Sequence, residues 1–146
     1  MNDTIFALSS GAPPAAIAII RISGPDAGHA LEALTGKNFE ERRPSVAKLR
    51  DQSGDVLDDA LVIWFPGKAT ATGEDLAELH CHGGRAVVAA VEAALSKIAG
   101  LRPALPGEFT RRSFANGRMD LAEAEGLADL LSACLLYTSP SPRDRG

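Results

Sequence analysis

The chain has 146 residues, 45% hydrophobic and 23% charged, with a formal net charge of −4. That is enough for one domain with a real core, and it excludes a disordered chain or two full-sized domains. A pI near 5.3 also argues against a general nucleic-acid binder, which is normally basic. In chain order, Thr4–Leu8 reads as a short strand. Ala15–Ile22 is nearly all apolar and β-branched, which predicts a central strand covered on both faces. Ser23-Gly24-Pro25 predicts a helix start with Pro at the first helical position, running to about Leu34 and stopped by Gly36. Lys37–Ser45 is charged and loop-like. Ala47–Arg50 and Ala60–Phe65 read as strands around a turn at Ser53-Gly54-Asp55, and Pro66–Gly73 as a loop. Leu76–His82 alternates as a strand, and Gly83-Gly84 then leads into an amphipathic helix over Arg85–Ala99. Pro103 and Pro106 bracket a connector before a short helix, Glu108–Ala115, closed by Asn116-Gly117. Asp120 and Glu123 form a capping-box pattern for a helix over Leu121–Ala133. Strands mixed with helices, without regular βαβ alternation, predict an α+β fold with a mixed sheet flanked by helices.

The longest apolar runs, Ala15–Ile20 and Leu61–Phe65, are far too short to cross a bilayer. No basic segment followed by an apolar stretch opens the chain, so a cytoplasmic location is the expectation. Two distant cysteines, Cys81 and Cys134, do not make a disulfide framework. The segment 134–146 reads differently from the rest. It holds the only Tyr and two Ser-Pro steps, and it follows a helical pattern without a capping glycine. It matches one reading frame of a transposon adapter used in sequencing libraries, so it reads as a non-native tail. The rest then ends mid-helix, as an N-terminal piece of something longer.

Leu76–His82 is the most informative stretch. Its period of two puts Ala77, Leu79 and Cys81 on one face and Glu78, His80 and His82 on the other. His80-x-His82 has the spacing of two metal ligands, yet apart from Glu78 itself no third ligand stands at a recognisable spacing, and no metal site is assigned. Arg21 continues the Ile17, Ile19 face of an otherwise apolar strand and needs a partner. Glu78 is the natural one, either as a purely structural ion pair or as half of a cleft that grips a polar ligand. Gly83-Gly84 is simple strand-to-helix geometry before it is an anion seat. Arg111, Arg112 and Arg118 read first as a solvated basic face, and Phe109 and Phe114 as core anchors. The chain contains no G-x-x-x-x-G-K-[ST], so it holds no phosphate-cradling loop of that kind and no catalytic residue is assigned.

Several motifs occur together in one order: Ala15-Ala-Ile-Ala-Ile-Ile-Arg-Ile-Ser-Gly24, Thr72-Gly-Glu-Asp75, Glu78-Leu-His-Cys-His-Gly-Gly84 and Pro106-Gly-Glu-Phe-Thr-Arg-Arg112. Phe114-Ala-Asn-Gly-Arg-Met-Asp-Leu121 and Ala124-Glu125 follow. Across Thr4–Ala133 the chain strongly resembles the N-terminal region of the MnmE (TrmE) family of tRNA-modification GTPases. The resemblance implies a fold like the tetrahydrofolate-binding domains of one-carbon transferases over 1–118, then the start of a helical domain over 119–133. It implies 5-formyl- or 5,10-methylene-tetrahydrofolate as cofactor, with contacts at Arg21, Glu78 and Arg118, and a homodimer built by this domain. GTP, magnesium and potassium enter only through a GTPase domain beyond this chain. A flavin-dependent partner, MnmG, and tRNA complete the family's reaction, which adds aminomethyl or carboxymethylaminomethyl groups at C5 of the wobble uridine.

The chemistry supports Glu78 best, because a pterin presents an exocyclic amine beside a ring N–H and a carboxylate accepts both as a fork. Arg21 can donate to a pterin carbonyl or balance Glu78. Arg118 stands where the family usually has Lys, and Ala71 where it often has an aromatic residue. Two other classes of function compete: a purely structural dimerisation module, and a tRNA-docking module using the arginines.

Overall fold

Alternation within the strands gives the molecule two unlike sides. The computed structural model describes residues 3–9 and 15–118. The helix expected over Leu121–Ala133 and the tail 134–146 lie outside the described residues. The elements are β1 (Thr4–Leu8), β2 (Ile17–Ser23), α1 (Ala27–Thr35), β3 (Ser45–Arg50), β4 (Val56–Phe65), β5 (Leu76–His82), α2 (Arg85–Ser96), β6 (Leu101–Pro103) and α3 (Glu108–Ala115). The strands form one six-stranded sheet in the order β3-β4-β5-β2-β1-β6. Every pairing is antiparallel except β1 with β6, so the sheet is mixed and the fold is α+β.

α1 and α2 cover one face of the sheet. Ala18, Ile20 and Ile22 of β2, Val62 of β4, and Ala77, Leu79 and Cys81 of β5 point into that layer and are buried. The helices answer with Ala30, Leu31 and Leu34 from α1 and Val88, Val91 and Leu95 from α2. Apolar surface removed from water on both sides of this layer is the main force holding it together. The opposite face is largely open. Ile17 is 56% exposed and Val46 68%, so the expectation that β2 is covered on both faces fails. Apolar composition gives a strand its β propensity without saying what lies over it.

Three local differences have plain causes. α1 starts after Asp26 rather than at Pro25, because the chain first turns through Gly24 at φ 141°. A Cβ on Gly24 would stand 2.6 Å from the Thr4 backbone, so only glycine lets the turn close there. The turn delivers the Asp26 N–H to Thr4 Oγ1 at 2.7 Å. β4 begins at Val56, four residues earlier than its apolar stretch suggests, because Asp58 and Asp59 serve partners on neighbouring strands. Leu101–Pro103, expected as a connector, pairs with β1 as a short parallel edge.

Candidate functional site

On the open face, β2 and β5 run antiparallel with Arg21 directly opposite Glu78. Arg21 Nε donates to Glu78 Oε2 at 3.0 Å, so the expected ion pair forms. The other carboxylate oxygen, Oε1, lies 3.0 Å from His80 Nε2. Glu78 is well shielded, its side chain 14% exposed, whereas the Arg21 side chain is 37% exposed. Burial alone would push the Glu78 carboxyl up. The bonds from His80 and then Arg21 outweigh that, and the group sits below the ordinary carboxylate range. It is therefore an anion held ready on a sheet face, with one further lone pair free on each oxygen in principle. Ile63 of β4 lies opposite Glu78, and Ile19 and Leu61 lie opposite His80, so the ion cluster has apolar neighbours.

His80 and His82 share the open side, but their bonds diverge. His82 Nδ1 pairs with Asp58 Oδ1 at 2.7 Å, and its backbone N–H donates to Asp58 Oδ2 at 2.8 Å. Among the described residues, no three His, Cys, Asp or Glu side chains gather as a metal site. Cys81 faces the core, and burial, aided by the Asp58 charge, raises its thiol to about 12. It is not a nucleophile at neutral pH.

Arg118 is placed by a different part of the chain. The loop joining β4 to β5 leaves Phe65 and returns at Leu76, residues that face each other at one end of the sheet. Arg118 Nε donates to Thr70 O of that loop at 2.7 Å, and Asn116 Nδ2 to Thr72 O at 2.8 Å. Arg21 and Glu78 lie two residues inside that same end. The structure thus joins Arg21 to Glu78 directly, and it anchors Arg118 to the adjoining loop rather than to either of them.

An ion network holds α3 and this loop over the end of the sheet, and sequence reasoning missed it. Arg112 is not part of a solvated basic face: its side chain is 14% exposed and donates to Asp3, Glu74 and Glu108. Glu74 in turn accepts from Ser23 Oγ at 2.6 Å, and Arg102 of β6 binds Asp3 and Glu108. Arg102 foremost holds the Glu108 carboxyl down to about 2. Partners up to 109 residues apart leave no local spacing to read. The available signal was Glu74 beside Gly73, an acidic residue in a loop otherwise rich in small residues. Phe114 is 46% exposed and is not a core anchor.

Among the described residues no helix is long and apolar enough to cross a membrane. Comparison with known proteins supplies the family. Residues 4–118 match the family model described as the GTP-binding protein TrmE N-terminus. The chain is 69% identical over 134 residues to the tRNA modification GTPase MnmE of Novosphingobium aromaticivorans, covering 91% of this chain and 31% of that protein. It is 70% identical over 114 residues to the protein of the same name from Sphingopyxis alaskensis, covering 78% of this chain and 27% of that one. For Erythrobacter litoralis the identity is 67% over 131 residues, covering 90% and 31%. The chain spans about a third of the length of these curated relatives. The matched segment carries every element of the sheet and the Arg21–Glu78 pair, and the chain belongs to the TrmE N-terminal family.

Proposed function

We propose that this chain is the folate-binding and dimerising part of a tRNA-modification GTPase, with Arg21, Glu78 and Arg118 as its ligand contacts. One observation carries the reading: a shielded carboxylate, held ionised by Arg21 and His80, stands on an open sheet face. The donor and acceptor set fits a reduced folate. Glu78 accepts the amine and ring N–H of a pterin as a fork, and Arg21 neutralises the carboxylate while donating toward a ring carbonyl. Arg118, at the adjoining loop, supplies a fixed positive charge for a carbonyl or carboxylate. A bound 5-formyl- or 5,10-methylene-tetrahydrofolate would supply an activated one-carbon unit. The protein's own part is to bind and orient, with no proton-transfer or nucleophilic group assigned here.

In this reading GTP hydrolysis, with its magnesium and potassium, belongs to a further domain, and MnmG and tRNA join the complete protein in modifying the wobble uridine. Of the arginines that suggested tRNA docking, Arg112 is committed inside the chain to three carboxylates. A purely structural dimerisation module is favoured by a separate observation, the exposed Ile17 and Val46 on the open face. Calorimetry separates these. Saturable heat with 5-formyltetrahydrofolate and none with GTP is the expected result. No folate binding would leave only the dimerisation reading.

A further inference from the structure

We propose that His80 is a positioning residue for the Glu78 carboxylate, fixing the plane in which its two oxygens meet a ligand. The inference rests on the folate reading above. Arg21 reaches Oε2 from the neighbouring strand, and His80 reaches Oε1 from two residues along β5. The two bonds come from different directions, so the carboxylate cannot rotate about its last torsion without breaking one of them. A ligand presenting two parallel N–H donors needs both oxygens in one fixed plane, and His80 holds the half that Arg21 does not.

The bond from His80 uses one lone pair of Oε1 and leaves the second open to a ligand. Lys48 of β3 binds Asp59 of β4 at 3.0 Å, and His82 binds Asp58 at 2.7 Å, so these groups are engaged away from Glu78. Arg21 is the sole charge that β2 brings to Glu78 in this register, and Ile19 and Leu61 flank His80 on either side. α1 and α2 pack on the opposite face, and Glu74 at the loop is held by Ser23 and Arg112.

The test measures 5-formyltetrahydrofolate affinity and thermal midpoint for the whole chain. His80→Ala should bind roughly tenfold more weakly, through lost carboxylate alignment. His80→Gln should restore most of that affinity, since its amide N–H can donate to the same carboxylate oxygen. His82→Gln should keep the wild-type affinity. No loss in His80→Ala, or no rescue by His80→Gln, overturns the inference while leaving folate binding intact. Absence of binding by wild type would instead remove the folate reading, and this inference with it.

Discussion

Gly73 decides where Arg118 can stand. Its φ of 79° is a left-handed value, and a Cβ there would lie 2.4 Å from Asn116 Cβ and 3.1 Å from Arg118 Cγ. Gly73→Ala therefore meets strain and a clash together, and should cost about 2 kcal/mol of stability. It should also shift the segment that carries Arg118. Thermal unfolding and folate titration check this together, and a variant with an unchanged midpoint and affinity would contradict the placement. At this scale the sequence was readable where a residue's role is local. Alternation along β5 put Glu78 on the polar face, alternation along β2 put Arg21 with Ile17 and Ile19, and the need of a half-buried guanidinium for a carboxylate paired the two. The bond from His80 to Glu78 was not readable, because sharing a strand face does not reveal which neighbour an imidazole turns to.

α3 is an eight-residue helix whose attachment is mostly ionic, through Arg112, Glu108, Asp3, Arg102 and Glu74. This makes it sensitive to acid. Arg102 holds the Glu108 carboxyl at about 2, below its ordinary 4.5, and likewise lowers Asp3. A carboxylate with a depressed folded-state pKa stabilises fully above its unfolded value and loses that contribution as pH falls through the folded one. Amide protection across α3 should therefore fall between about pH 4.5 and about pH 2, before that of β2 and β5. Simultaneous loss everywhere would mean that α3 is not held as described. The helix itself was legible from Pro106 before it and Asn116-Gly117 at its end. β6 was not, because three residues ending in proline carry no periodic signal, and its pairing with β1 is a contact between distant parts of the chain.

At the scale of the whole molecule, a sheet with α1 and α2 on one face leaves Ile17 and Val46 exposed on the other. The fold class followed from the order of strands and helices, whereas the open face did not, because Ile17 and Ile19 look like core residues in any sequence. Exposed Ile17 and Val46 and the two-fold habit of such assemblies accord with the proposed homodimer. Sedimentation at micromolar protein should give a species of about twice the chain's 15.2 kDa, and only a monomer would contradict that proposal. The central claim is that the Arg21–Glu78 face binds a reduced folate, and it turns on whether Glu78 serves a ligand or only the fold. Glu78→Gln removes no core volume, since Leu79 and Cys81 face the other way. Arg21 is exposed enough to reach water, so losing its partner should cost stability only about 1 kcal/mol. The amide offers one acceptor where a pterin brings two donors, and binding should weaken by about 2–3 kcal/mol. The decisive measurement is therefore 5-formyltetrahydrofolate affinity and thermal midpoint on the same Glu78→Gln protein. The account predicts an affinity loss of roughly thirtyfold or more with a midpoint lowered by only a few degrees. Full affinity with a large fall in midpoint would make Glu78 a structural partner of Arg21 and contradict the site.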